Sequence, residues 1–132
     1  MIPCYAANPP THHDCEGFEE FQGKIDSIFV EGHTDNVPMK SYKYKDNWDL
    51  SASRAITAYR VLIPNTVLNQ IINVNMQPIF SVSGYGEGRP VAGHSYSYPK
   101  SDPTNRRIDL RFIMTPPSLT DVQKNINAEG VN

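Results

Sequence analysis

The sequence predicts an α+β fold, a two-layer sandwich in which helices cover one face of a small mixed sheet. Three observations lead there. Residues 107–114 alternate, with Ile108, Leu110, Phe112 and Met114 on one side and Asp109 and Arg111 on the other. A one-sided strand of this kind belongs to a sheet with one face covered. Leu50, Ala52, Ala55, Ile56, Tyr59, Leu62 and Ile63 recur at helical spacing after Trp48. Two short runs, Ile25 to Glu31 and Ile79 to Ser83, are rich in β-formers and stop at glycine. Strand, helix, strand, strand in that order packs as two layers around one core.

Taken along the chain, residues 1–24 read as irregular, with Pro3, Pro9 and Pro10 among them. Phe18 and Phe21 share a helical face in a run too short to stand as a helix. A strand follows from Ile25 and ends at Gly32. Residues 33–47 form a polar loop with Pro38, three lysines and two tyrosines. Pro64 closes the helix that starts near Trp48, because proline inside a helix removes a hydrogen bond. Residues 65–72 read as a short second helix. The strand at 79–83 runs into the turn Gly84-Tyr85-Gly86, and 87–105 is loop. Pro116-Pro117 ends the strand at 107–114. Ser118 to Ala128 forms a small amphipathic helix through Leu119, Val122 and Ile126, or frays. The organisation is therefore an N-terminal segment (1–24), a domain (25–114) and a tail (115–132).

Composition narrows the function classes. A chain of 132 residues is one domain with ends. Twelve basic against fourteen acidic residues leave a net charge of −2, without the basic field that non-specific nucleic-acid binding needs. No run approaches the roughly 18 to 20 apolar residues of a membrane span. The first five residues lack a charged region followed by an apolar one. Work outside the cytoplasm would therefore need an exporting or anchoring segment that this chain does not contain.

Cys4 and Cys15 flank Pro9, Pro10, His12 and His13. A disulfide there would close a short loop, worth about 3 kcal/mol, and would require an oxidising compartment. A metal site from Cys4, His12, His13 and Cys15 fits none of the usual zinc spacings. The disulfide is therefore favoured over the metal, and two free thiols remain a third option.

Polar clusters fall at three element boundaries, where scaffolds usually carry function. They are Gly32-His33-Thr34-Asp35-Asn36, then Asn47-Trp48-Asp49-Leu50-Ser51 with Arg54 one turn on, and Asn105-Arg106-Arg107. Asp35 at a strand end and Arg54 in the next helix can meet across the loop between them. Paired only with each other they make a structural ion pair, worth about 0 to 1 kcal/mol near a surface. Separated by a small ligand they make a zwitterion receptor. Asp35 then accepts from an ammonium and Arg54 grips a carboxylate with two parallel bonds. Backbone N–H groups at the helix start would add to the anion side. On physics alone the structural pair leads.

Other chemistry fits less well. His33 beside Asp35 is half of a hydrolytic triad, but no serine sits in a G-x-S-x-G turn; His33 reads as an imidazole that anchors a loop. Gly84 to Gly88 lacks the lysine and helix of a phosphate loop and is a turn. Tyr42, Tyr44, Tyr96, Tyr98 and Lys100 suit the covering of a core edge.

Four blocks carry a resemblance: IFVEGHTDN (Ile28 to Asn36), NWDLSASRA (Asn47 to Ala55), SGYGEGRPV (Ser83 to Val91) and NRRIDLRF (Asn105 to Phe112). In this order, spanning about Ile25 to Met114, they resemble the OmpA/MotB C-terminal peptidoglycan-binding domain. The NWDLSASRA form and the long loop before it resemble the MotB branch. That branch holds stator subunits of ion-driven rotary motors, among them the ZorB subunit of Zorya phage defence.

The resemblance implies a β-α-β-α-β sandwich that binds the meso-diaminopimelate part of the peptidoglycan stem peptide without covalent chemistry or cofactor. It implies that Asp35, of the GHTD block, binds the diaminopimelate ammonium and that Arg54, of the LSxxRA block, binds its carboxylate. Thr34, Asn47 and Leu50 fall at pocket-lining positions, and Arg106 supports the pocket or contacts the ligand. This reverses the odds between structural pair and receptor. A lysine-type stem peptide lacks the second carboxylate and would be disfavoured by about 1 to 3 kcal/mol. The implied setting is periplasmic, in a homodimeric stator beside a membrane-embedded motor subunit, held to the membrane by a segment absent here. A dimerisation domain without wall binding is the alternative, and an enzyme comes third. The chain departs from the family before residue 25, where members carry a strand and a long helix. Here the first strand is Ile2 to Ala6, comes from a partner chain, or is missing.

Overall fold

The structure, a computed structural model, describes residues 2–11 and 14–117 together with Ile126. His12, His13 and, apart from that one residue, the helix expected at 118–128 lie outside the described residues. The elements are β1 (Ile25–His33), α1 (Asn47–Leu62), β2 (Phe80–Gly84) and β3 (Arg107–Met114). They form a sheet of order β2-β1-β3, with β1 parallel to β2 and antiparallel to β3. Parallel neighbours need a crossover, and α1 supplies it. The fold is α+β, as the sequence predicts.

Helix α1 is fixed at its start by reciprocal capping. The Asp46 carboxylate accepts from the Asp49 N–H at 2.9 Å, and the Asp49 carboxylate accepts from the Lys45 N–H at 3.0 Å. The helix ends at Leu62, capped by Ile63 ahead of Pro64. The expected helix at 65–72 is only a 3-10 turn, Val67–Gln70. Thr66 caps it through the Leu68 N–H, and Ile71 then turns extended at φ −79°, ψ 142°. Ile71 is needed in the core at 2% exposure, and Ile72 bridges to Pro78. Core burial overrides a weak helical pattern there.

Gly32 and Gly84 stand opposite each other in the β1–β2 register and bring the two layers together. A Cβ on Gly32 would overlap the Ser51 carbonyl, and one on Gly84 would strike the Ala52 nitrogen and Ser51 Oγ. Helix α1 therefore rests on the sheet at backbone contact. Ser51, fully buried, donates its hydroxyl to the Trp48 carbonyl at 3.0 Å and accepts from the Gly86 N–H at 2.9 Å. One side chain thus ties the helix to the turn after β2.

The main core cluster is Ala6, Ile25, Ile28, Ile71 and Ile79. Ala6 comes from the N-terminal segment, which is irregular but docked. Its residues Ile2–Tyr5 form a 3-10 turn rather than a strand. The Ala7 N–H donates to the Ile72 carbonyl at 2.9 Å and the Gly23 N–H to the Ala6 carbonyl at 3.0 Å. Cys4 and Cys15 are joined in a disulfide.

The apolar side of β3 corrects the sequence expectation. Ile108, Leu110, Phe112 and Met114 share the face on which Ile28 and Val30 are buried, yet they are 40 to 51% exposed. Helix α1 is drawn over β1 and β2 by the two glycines and leaves the β3 half of that face uncovered. With Ile2–Tyr5 coiled into a turn, no described residue adds a strand beyond β3.

Replacing Gly32 by Ala is expected to lower stability by about 1–3 kcal/mol, seen as a lower urea midpoint at unchanged slope. An unchanged midpoint would show that α1 does not bear on that strand. Reducing the disulfide is expected to remove about 3 kcal/mol, read from thermal unfolding with and without reductant. Coincident curves would mean the N-terminal segment stays docked without its cross-link.

Candidate ligand-binding site

The end of β1, the first turns of α1 and the loop before β3 converge on a cavity of about 190 Å³. Thr34, Asp35, Asn47, Leu50, Arg54 and Arg106 all line it, as do Val37, Pro38, Met39 and Ser101. The six residues named from sequence are therefore brought together.

Asp35 is positioned by backbone bonds on both sides. Thr34 N–H donates to the Gly86 carbonyl at 2.9 Å, and Thr34 Oγ1 donates to the Asp35 carbonyl at 2.8 Å. Asn47 Nδ2 donates to the Asp35 and Val37 carbonyls at 3.3 and 3.1 Å. Asn47 thus staples the loop to the helix start. Leu50, 7% exposed, gives the cavity an apolar wall.

The Asp35 carboxylate is 8% exposed as a residue and heavily partnered. Oδ2 accepts from Arg106 Nη1 at 2.6 Å and from the Asp102 N–H at 3.1 Å, and Oδ1 accepts from the Val37 N–H at 3.2 Å. Burial works to raise its pKa, but the Arg106 guanidinium and the two N–H groups outweigh it and hold the carboxyl below its ordinary range. Two carboxylate oxygens offer about four acceptor positions. Three are taken, so one on Oδ1 is left for a ligand.

The ion pair within the site is Asp35–Arg106, not Asp35–Arg54. Arg106 also donates to Ser101 Oγ at 2.9 Å. Arg106 thus holds the Asp35 carboxylate in place from the loop before β3. Arg54 is exposed and, among the described residues, makes no ion pair or hydrogen bond. Its fork is available across the same cavity. The helix N-terminus adds less than expected, because Asp46 already takes the Asp49 N–H.

Behind the Asp35 carboxylate, to which its N–H donates, Asp102 is the centre of a knot and is 6% exposed. His94 Nδ1 lies 2.7 Å and the Tyr96 hydroxyl 2.8 Å from Asp102 Oδ2, and the Thr104 N–H donates to Oδ1 at 2.9 Å. The His94 and Tyr96 bonds hold the Asp102 carboxyl well below the usual carboxylate range. Asn105 closes the loop through the His94 carbonyl and the Val91 N–H, both at 2.9 Å. Neither Ser101 nor Asp102 was picked out from sequence. The available signal was the Ser-Asp-Pro-Thr run, whose aspartate bonds its own backbone two residues on.

His33 does not anchor a loop by hydrogen bonds. It is 3% exposed, stacked on Tyr85 with ring centres 5.2 Å apart, and neither ring nitrogen has a hydrogen-bond partner. Asp109 Oδ2 lies 3.4 Å from Nε2 without bonding geometry. Burial first, then the Arg107 charge, lowers its pKa, so the ring is neutral at pH 7. Tyr96 buttresses Asp102 rather than a core edge, and Tyr42 is fully exposed. Among the described residues no group of three or more His, Cys, Asp or Glu stands together as a metal site.

One cavity thus holds a carboxylate acceptor position, an unengaged guanidinium and an apolar wall. Residues 17–105 match the OmpA family, and the chain belongs to it. Its domains are binding modules rather than enzymes, and this one is of the MotB-like kind. The chain is similar to motility protein B of Bacillus subtilis (strain 168), with 37% identity over 87 residues, covering 66% of this chain and 30% of that protein. It is also similar to motility protein B of Helicobacter pylori (strain J99), with 28% identity over 103 residues, 77% of this chain and 36% of the relative. The chain thus spans about a third of these relatives' length. The periplasmic domain of Helicobacter pylori MotB superposes at a TM-score of 0.50 with 21% identity, over 89% of this chain and 68% of that one, which is a likeness of fold.

Asp35 and Asp102 both carry lowered pKa values. Each contributes stability that is present above its unfolded pKa and is lost as pH falls through the folded one. Urea midpoints are expected to decline gently as pH falls below about 6.5, because His33 takes a proton more readily in the unfolded chain, and to drop more steeply below about 4 as the two carboxylates are protonated. In Asp102→Asn the drop should be shallower. An identical acid slope in the variant would remove Asp102 from the account.

Proposed function

We propose that this chain binds peptidoglycan non-covalently through the diaminopimelate of the stem peptide and so tethers a membrane-associated, MotB-like stator to the cell wall. The observation that carries it is the pairing, in one cavity, of a free Asp35 acceptor position with a free Arg54 fork. The side-chain end of diaminopimelate has an ammonium and a carboxylate on one carbon. Asp35 takes an ammonium N–H, and Arg54 takes the carboxylate in a two-bond grip. Arg106 keeps Asp35 ionised and aimed. Thr34 and Asn47 set the loop, and Leu50 packs the ligand's methylene chain.

The setting is the periplasm, beside the membrane-embedded motor subunit of a larger assembly. The relatives named motility protein B support the stator role, and the block resemblance extends it to phage-defence stators. We place the working domain at 25–114, with 1–24 stapled to it and 115–132 as tail.

A second function, a dimerisation domain, is favoured by one observation, the uncovered Ile108-Leu110-Phe112-Met114 strip on an edge strand. Such edges invite pairing, and a homodimer would cover this one.

Co-sedimentation with purified diaminopimelate-type sacculi tests the tether. Wild-type protein is expected in the pellet, with Asp35→Ala and Arg54→Ala in the supernatant, each folded by circular dichroism. Retention of both variants would discard the site. Absence of wild-type protein from the pellet would favour the dimerisation domain, and steady release of soluble muropeptides would favour an enzyme.

A further inference from the structure

Strand β2 is the edge of the sheet opposite β3. Its inward bonds are set by β1: the Ile28 N–H donates to the Ile79 carbonyl at 2.9 Å, and the Tyr85 N–H to the Gly32 carbonyl at 3.0 Å. Backbone groups alternate in direction along a strand, so Ser81 and Ser83 also turn theirs toward β1. Phe80, Val82 and Gly84 turn theirs outward, and among the described residues no other backbone bonds them. Sheet edges are usually blunted by charge or proline. Strand β3 carries Arg107, Asp109 and Arg111 at alternate positions, whereas Phe80–Gly84 carries no charge and no proline.

Both faces of this edge are also incomplete. On the face away from α1, Ser81 Oγ and Ser83 Oγ are buried with no hydrogen-bond partner, which is unfavourable. On the α1 face a cavity of about 270 Å³ runs beside the strand, lined by Ile56, Tyr59, Arg60, Phe80, Ser81 and Val82. Helix α1 runs opposite to β2, with Ala52 over Gly84 and Arg60 beside Phe80. Asp49 in its first turn and Arg60 in its last share a face with Ile56.

We propose that β2 pairs antiparallel with β2 of a second copy of this chain, about a two-fold axis through Val82. The proposal rests on the homodimer reading and assigns it to an edge other than β3. The run Ser81-Val82-Ser83 reads the same in both directions, which is what an isologous contact requires. In this register Val82 faces Val82 of the copy, and Phe80 faces Gly84, which has no side chain to obstruct it. All of these have outward backbone groups and exchange N–H···O bonds. Ser81 then faces Ser83 of the copy in the closer, non-hydrogen-bonded position. Rotation about χ1 turns the two hydroxyls toward each other. Across the cavity Ile56 meets Ile56, and because the helices are antiparallel, Arg60 of each comes beside Asp49 of the other. The two ligand cavities open at opposite ends of the joined sheet.

Oxidative cross-linking of the full chain tests the register. Ser81→Cys and Ser83→Cys are made as separate variants. Facing positions lie about 4.5 Å apart between Cα atoms, within disulfide reach, whereas 81 with 81 and 83 with 83 are diagonals of about 7–8 Å. An equimolar mixture treated with copper phenanthroline is expected to give a cross-linked dimer that neither variant gives alone. Leu110→Cys, on β3, is expected to stay uncross-linked. Sedimentation velocity of the unaltered chain is expected to show a dimer, which Val82→Lys weakens about tenfold or more by setting two like charges on the axis, with circular dichroism unchanged. A mixture that cross-links no better than the single variants overturns the pairing. Cross-linking through Leu110→Cys instead places the copy on β3 and also overturns it. A chain that is monomeric at every concentration is a different result: it overturns the homodimer reading, and the pairing with it.

Discussion

The Asp35–Arg106 ion pair is the interaction on which the site depends. A carboxylate 8% exposed would not stay ionised on its own. Arg106 at 2.6 Å and the N–H groups of Asp102 and Val37 compensate its burial and leave one acceptor position open. The same pairing explains why Arg54 is unengaged. A nearby aspartate with no other partner would attract it and close the cavity. By saturating Oδ2, Arg106 lets an anionic group and a cationic group stand apart in a small space.

That arrangement is inherited from the backbone contact between layers. Gly32 and Gly84 allow α1 to settle on β1 and β2, and Ser51 locks it to the turn at Gly86. The first turns of the helix then lie beside the loop that leaves β1, close enough for Asn47 to bind that loop's carbonyls. Site geometry and layer spacing are one constraint. The same choice bares the apolar side of β3, because a helix seated over two strands cannot also cover the third.

Much of this was legible in the sequence. Strand β3 announces itself by alternation, α1 by its spacing and by Pro64, and the fold class by element order. The family's ordered blocks picked out six residues that do share a cavity. Less legible was what depended on tertiary competition. Residues 65–72 carry a helical pattern, but burial of Ile71 cuts it to a turn. The apolar side of β3 alternates as a buried strand does, and nothing local reveals that its cover is missing. The Asp35–Arg106 pair spans 71 positions, and proximity along the chain had suggested Arg54 instead. Within the loop at 87–105 little marks Asp102, and only the folded loop shows His94 and Tyr96 closing on it.

The central claim is that Asp35 and Arg54 jointly recognise an amino-acid head group. Calorimetric titration of the tripeptide Ala-γ-Glu-diaminopimelate against Ala-γ-Glu-lysine would test it most directly, because the lysine peptide, its α-amine acylated, keeps the side-chain ammonium and lacks a carboxylate on the same carbon. The account predicts that the diaminopimelate peptide binds about 5- to 150-fold more tightly, the equivalent of about 1 to 3 kcal/mol, and that the preference vanishes in Arg54→Ala. Equal affinity for the two peptides, or a preference that survives loss of Arg54, would contradict it.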